Sequence, residues 1–165
     1  MGKFLTILTL SCLALCVSLT GCNSGGCTEL RSAVPRADFY SSSTARQITV
    51  DSLSIVGIGA PGDSVLYGPA EKLSSVYLPM PADMNSVQWR IGYMQENLAQ
   101  YNLADTVSMK FERMPWFAGE ECGAMFKYKI TELRYTQNLI DSVIIADSTV
   151  VNIDQANLNI YFRTE

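Results

Sequence analysis

From residue 46 onward the chain is written largely in period two. "DTVSMKFERM" (105–114) sets Val107, Met109 and Phe111 against Ser108, Lys110 and Glu112. "AMFKYKITELRY" (124–135) sets Phe126, Tyr128 and Ile130 against Lys127, Lys129 and Thr131, and "ANLNIYFRT" (156–164) sets Leu158, Ile160 and Phe162 against Asn157, Asn159, Tyr161 and Arg163. "RQITVDSLSIVGIG" (46–59) carries Ile48, Val50, Leu53, Ile55 and Ile58 with polar residues between them. Successive side chains of a strand point to opposite faces, so this alternation predicts strands with one face buried. Shorter strands are predicted at 36–40, 64–67, 73–78, 86–93 and 140–146. "GAPGDS" (59–64), "YGP" (67–69), "PMPADMN" (79–85) and "YTQN" (135–138) supply the turns between them. Pro79 and Pro81 lack the N–H that a central strand needs, so a strand must stop there.

No long amphipathic helix interrupts the pattern. "MQENLAQYNL" (94–103) offers about two turns of helical spacing through Met94, Leu98 and Tyr101 and reads as a loop or a frayed turn. About seven to nine short strands with frequent turns predict an all-β chain, an antiparallel β-sandwich with an immunoglobulin-like layout. A closed β-barrel is the alternative.

The first 21 residues follow a different rule. Lys3 is their one charge, and Phe4 to Leu19 are all apolar or small. A positive start, a short apolar run and small residues after it describe a secretory signal peptide. A transmembrane helix would need about 20 apolar residues, and Thr6, Thr9, Ser11 and Ser18 interrupt this shorter run. Leu19-Thr20-Gly21-Cys22 is similar to the bacterial lipobox, in which a peptidase cuts before a cysteine whose thiol carries a diacylglyceryl group. Ordinary cleavage near Ser24-Gly25-Gly26 is the competing reading. The expected organisation is a cleaved signal peptide (1–21), a lipid-anchored linker (22–26) and one domain (27–165), with Cys22 acylated. Two or more acyl chains anchor stably, at about 0.8 kcal/mol per buried methylene.

Of five cysteines, Cys12 and Cys16 leave with the signal peptide and Cys22 takes the lipid. Cys27 and Cys122 remain, an even pair in an exported chain, and are expected to form a disulfide. The alternative is two free buried thiols. The chain-entropy view assigns roughly 4–5 kcal/mol to a loop this long.

Net charge is −4 at pH 7, and removal of Lys3 makes the balance more acidic. With no basic cluster the chain does not suit nucleic acid or anionic lipid headgroups, leaving the acyl chains as its link to the membrane. The sequence has no histidine, which removes Ser-His-Asp, Cys-His and His-metal chemistry. "GIGAPG" (57–62) lacks the lysine and helix of a phosphate loop. Glu120 and Glu121 are adjacent, so in a strand they would point to opposite faces and could not flank one sugar. Asp51, Asp63, Asp105, Asp141 and Asp147 each precede Ser or Thr near an apolar stretch. Their irregular spacing reads as strand-edge turn chemistry rather than calcium loops. No catalytic residue, metal or cofactor is expected, and the chain reads as a non-enzyme.

"FERMPWFAGEECG" (111–123) reads as a Pro- and Gly-containing loop crowding Trp116 and Phe117 beside Glu120 and Glu121. These four are the candidate binding residues: exposed loop aromatics stack on sugars or anchor a protein partner. The alternative is that Trp116 plugs the open end of the sandwich. Trp89, mid-strand among apolar neighbours, reads as core.

Lipobox, "CT" (27–28), "DSLSIVG" (51–57), "DTVSMKF" (105–111), "GEECG" (119–123) and the final alternating strand together resemble an uncharacterised family of small Bacteroidetes-type lipoproteins. The resemblance implies a fold and a location, and no activity. "NSGG" after Cys22 lacks an acidic run, which points to the outer membrane's periplasmic face. The leash from Cys22 to Cys27 reaches at most about 17 Å, which favours a partner at the same membrane. The expectation is a lipid-anchored protein that binds or scaffolds another envelope protein. The alternatives are a glycan- or small-ligand-binding lipoprotein using Trp116, and a fimbrial or assembly subunit that exchanges an edge strand.

Overall fold

The alternating stretches pair into two sheets. The structure, a computed structural model, describes residues 33–164 apart from residues 60, 61, 70, 71, 96–100, 102 and 121. Its strands are β1 (Arg36–Ser41), β2 (Leu53–Ile58), β3 (Val65–Tyr67), β4 (Ser75–Tyr77), β5 (Ser86–Tyr93), β6 (Ala104–Gly119), β7 (Gly123–Tyr135), β8 (Ile140–Ile145), β9 (Thr149–Val150) and β10 (Ala156–Phe162). One sheet runs β4-β1-β10-β8 and the other β3-β2-β5-β6-β7-β9. Every pairing is antiparallel except β1 with β10. Neither sheet closes on itself, so the fold is the expected sandwich and the barrel alternative is overturned.

Ten strands exceed the seven to nine expected. The extra one, β9, has only two residues, too short for any periodicity to show. The predicted strand 46–59 is also shorter than its pattern. Ser52 takes φ of 53°, a left-handed conformation that breaks the extended run. Before it, Gln47 and Val50 make only isolated bridges, to Tyr40 and Leu73. The predicted loop at 94–103 lies largely outside the described residues.

The inward faces form one core. Phe39, Leu53, Ile55, Trp89, Ile91, Val107, Ile140, Leu158 and Ile160 are all fully buried, as read for Trp89 from its neighbours. Phe39 and Phe162 meet edge to face at 5.1 Å. Burying each large apolar side chain contributes about 1.5–3 kcal/mol, which is what holds the two layers together. Between Ile130 and Leu133 the alternation slips by one, because β7 spends two steps where β6 spends one, between Lys110 and Phe111. This bulge at Thr131 lets Leu133 and Ile130 both face inward across a single strand.

A polar tie joins the sheets. Asp105, at the start of β6, is 1% exposed. Its carboxylate accepts from the main-chain N–H of Asn138 (2.8 Å), Leu139 (2.6 Å) and Ile140 (2.7 Å), and from the Thr136 hydroxyl (2.5 Å). These residues lead into β8 of the other sheet. Elsewhere Asp63 accepts from Gly59 N–H and Asp147 from Thr149 N–H, the turn chemistry read from the sequence.

Candidate functional site

Register gathers the unusual features at one end of the sandwich. β5 begins at Ser86, opposite Lys110 of β6. Past that point β6 and β7 continue together to Gly119 and Gly123 as a two-stranded ribbon, joined only by the short β9 at Tyr128 and Lys129. The C-terminal end of β2 meets β5 at the pair Ile58–Gln88, on the same side. β1 runs antiparallel to β4, and Leu78 N–H donates to Pro35 O. The chain therefore comes in at Ala33 beside the Pro79–Met84 loop. The ribbon, this loop and the incoming chain share an end, and the C-terminal end of β10 lies at the other.

The segment 111–123, expected to be a loop, is strand as far as Gly119. Pro115 is tolerated because β5 has ended and no neighbour on that side needs its N–H. Paired residues share a face. Trp116 opposes Met125 and Met114 opposes Lys127 on one face; Arg113 opposes Tyr128, Pro115 opposes Phe126 and Phe117 opposes Ala124 on the other. Trp116 is half-buried, and the Lys127 ammonium lies 3.7 Å from its ring centroid. Phe117 and Phe126 are 65% and 50% exposed. Trp116 and Phe117 thus face opposite ways and do not form one aromatic platform. Trp116 lies on the overhanging ribbon, on the face opposite the one that continues the core through Phe111.

The turn at the ribbon tip holds Glu120, exposed, and Cys122, half-buried and with a bonded partner of its own. Glu121, Cys22 and Cys27 lie outside the described residues. Glu120 is in a turn rather than a strand, so the expected opposite-face geometry of the two glutamates does not apply to it.

At the same end lies a cleft of about 680 Å³, lined by Leu66, Val87 and Trp89 on the strands and by Pro79, Met80 and Pro81 of the loop, hereafter its roof. Of its lining residues Ile58 and Met84 are exposed, and so is Val65, the chain neighbour of Leu66. The roof is fixed by Arg113, whose guanidinium donates to the carbonyls of Ala82 and Met84 and, at 3.4 Å, to Asn85 Oδ1. Phe111 N–H adds a bond to Asn85 O. The cleft was not read from the sequence. One signal for it existed: Arg113 is a charge on the inward face of a strand that otherwise carries Phe111, Pro115 and Phe117 there.

The incoming chain is held by charge. Arg36 donates to Asp38 (3.0 Å) and Asp154 (2.6 Å), and the Tyr77 hydroxyl donates to Asp154 (2.7 Å). The bond to Asp38, then that to Asp154, raises the Arg36 pKa. Tyr77, then Arg36, holds the Asp154 carboxyl below its usual value. Among the described residues no three metal-ligating groups converge. Among them, too, no helix is long and apolar enough to cross a membrane.

Residues 52–162 match a family of unknown function. The chain belongs to DUF6452. The DUF6452 region runs from β2 to β10, so it includes the ribbon, the Pro79–Met84 loop and the cleft, and leaves out β1 and the segment before it. No curated protein and no solved structure matches the chain.

Proposed function

We propose that this DUF6452 chain is a lipid-anchored, non-enzymatic envelope protein that docks another envelope protein at the same membrane, outer and facing the periplasm. The observation that carries the reading is the gathering of the apolar cleft, its exposed lining residues Ile58 and Met84 with exposed Val65 next to Leu66, and the incoming chain at one end of the sandwich. An apolar anchor side chain of a partner fits a cleft with a Met- and Pro-rich roof, because methionine adapts its shape and proline presents no N–H. The lipobox-like Leu19–Cys22 supports acylation, and the leash to Cys27 keeps the domain near the bilayer. A Cys27–Cys122 bridge is part of the proposal. It is supported by the bonded state of the Cys122 sulfur, and Cys27 is the cysteine left over after export and acylation.

The glycan alternative has less support, since the Lys127 ammonium already occupies a face of the Trp116 ring that a sugar would stack on. The test places a photo-crosslinking amino acid at Val65 and at Met84 in cells. The expected result is a discrete adduct with an envelope protein, lost when Cys22→Ser abolishes the anchor. Adducts no different from those of a control position at the far end, Arg163, would refute docking at the cleft.

A further inference from the structure

The geometry points to a second, protein-mediated membrane contact: the tip of the β6–β7 ribbon, through Phe117 and Phe126, rests in the interfacial layer of the bilayer that holds the Cys22 anchor. This rests on the lipid-anchor reading above. The two rings lie on one face of the ribbon, since Phe117 opposes Ala124 and Phe126 opposes Pro115, which makes them diagonal neighbours. Both are largely exposed, while the aromatic residues nearer the sheet on that same face, Phe111 and Tyr128, pack edge to face at 5.4 Å. The core's apolar stripe therefore runs out of the sandwich and ends bare.

The length of chain before Ala33 and its direction say what lies nearby. It comes in at the ribbon's end of the fold, and Cys122 is two residues from Ala124, the partner of Phe117. Bridging Cys122 to Cys27 leaves five steps to the acylated residue, at most about 17 Å. The polar layer on one side of a bilayer is several ångströms thick, roughly half the difference between the 40–45 Å total and the 30 Å core. A tip tied this closely reaches that layer without any movement of the domain.

The polar groups around the tip set its depth. Lys127 and Lys129 project from the opposite face, where their stems can lie along the interface with the ammonium groups in water. Glu120 is exposed in the turn, so the turn itself stays among headgroups. Arg113 is engaged with the Pro79–Met84 loop and marks the upper limit of the contact. Aromatic rings flanked by such groups suit the headgroup boundary rather than the hydrocarbon centre.

The experiment uses the acylated mature protein in phosphatidylcholine–phosphatidylethanolamine vesicles containing brominated phosphatidylcholine. Trp116 faces away from Phe117, so the depth reporter is Phe117→Trp in a Trp116→Phe background; Trp89, fully buried, serves as the unquenched reference. The expected result is bromine quenching of the emission component added by Phe117→Trp, strongly reduced when Phe126→Ser is introduced as well, while cosedimentation with vesicles is unchanged. An acylated, cosedimenting protein in which the component added by Phe117→Trp is unquenched overturns the tip contact alone. A mature chain that carries no lipid by intact mass and stays off the vesicles overturns the anchor reading and the tip contact together.

Discussion

The Asp105 carboxylate accepts the main-chain N–H of Ile140 at 2.7 Å, which ties the first residues of β6 to the first residue of β8 across the two sheets. Asn138 and Leu139 donate to the same group, so one buried side chain satisfies three consecutive backbone donors. Asp105→Ala leaves them without an acceptor in a site that water cannot readily refill. Each unsatisfied buried group costs about 1–3 kcal/mol, so the variant is expected to lose on the order of 3 kcal/mol or more in urea unfolding. Asp105→Asn, which keeps the oxygen and loses the charge, is expected to lose less. Equal stability of Asp105→Ala and the parent chain would remove this tie from the account of the fold.

The same carboxylate makes stability depend on acid. Burial pushes its pKa up, but the Thr136 hydroxyl and the three N–H groups outweigh burial and hold it below its usual value. In the unfolded chain the group titrates at about pH 3.9. A carboxyl with a depressed folded pKa contributes stability that is present above the unfolded value and lost as pH falls through the folded one. The melting temperature is therefore expected to drop as pH is lowered below about 4, and to drop less in Asp105→Asn. The carboxyls of Asp154, lowered by Tyr77 and then Arg36, and of Glu132, lowered by Lys110 and then Arg134 against the upward push of burial, act in the same direction. They lie at the surface, where salt screens them. High salt should therefore shrink the part of the acid limb that survives in Asp105→Asn and leave the Asp105 part largely intact.

How far this chain could be read in advance depends on distance along it. The strands at 105–114, 124–135 and 156–164 were legible because alternation is local and each buries one face. The continuation of β6 through Met114-Pro115-Trp116-Phe117 was not, because Pro115 and Gly119 signal a loop unless one knows that β5 has already stopped. The parallel pairing of β1 with β10 joins Phe39 to Ile160, and nothing local in either strand announces a partner so remote. The bulge at Thr131 was present in the pattern, where Ile130 and Leu133 cannot share a face of an unbroken strand. The candidate site was legible by halves. Trp116 and Phe117 were singled out, but whether they faced one way or two depended on strand against loop. The cleft needs Leu66, Met80 and Trp89 brought together from three segments, which only the fold does.

Lys127 and Trp116 give a local reading of the ribbon's outer face. They occupy neighbouring cross-strand pairs, and the ammonium lies over the ring at 3.7 Å. At an exposed site such a contact contributes about 0.5–1 kcal/mol. Lys127→Ala is expected to destabilise by no more than this, to shift Trp116 emission to longer wavelength and to increase its quenching by acrylamide. Lys127→Arg should restore the parent behaviour, since a guanidinium also stacks on an indole. Unchanged Trp116 emission in Lys127→Ala would mean that the two groups do not associate in solution.

Arg113 is the residue on which the cleft depends most. It projects from the inward face of β6 just past the last β5 pairing, and its fork donates to Ala82 O, Met84 O and Asn85 Oδ1. Residues 79–85 otherwise have little to hold them: Pro79 and Pro81 donate nothing, and Asn85 O receives Phe111 N–H at the loop's far end. Arg113→Ala should therefore free residues 80–84 while leaving Trp89 and the sheet beneath in place. Hydrogen exchange is the direct measurement, with faster exchange expected at Ala82–Asn85 and unchanged protection in β5 and β6. Global stability should fall by only about 1.5–3 kcal/mol, the range for hydrogen bonds to a charged group. Arg113→Lys should rescue little, because a single ammonium cannot reproduce a planar fork spanning two carbonyls. If the roof is what shapes the cleft for a partner, Arg113→Ala should also weaken crosslinking from Met84 more than from Val65, which lies on β3 and is held by its own pairing with Val56. Equal losses at both positions would show that the partner's contact is broader than the cleft.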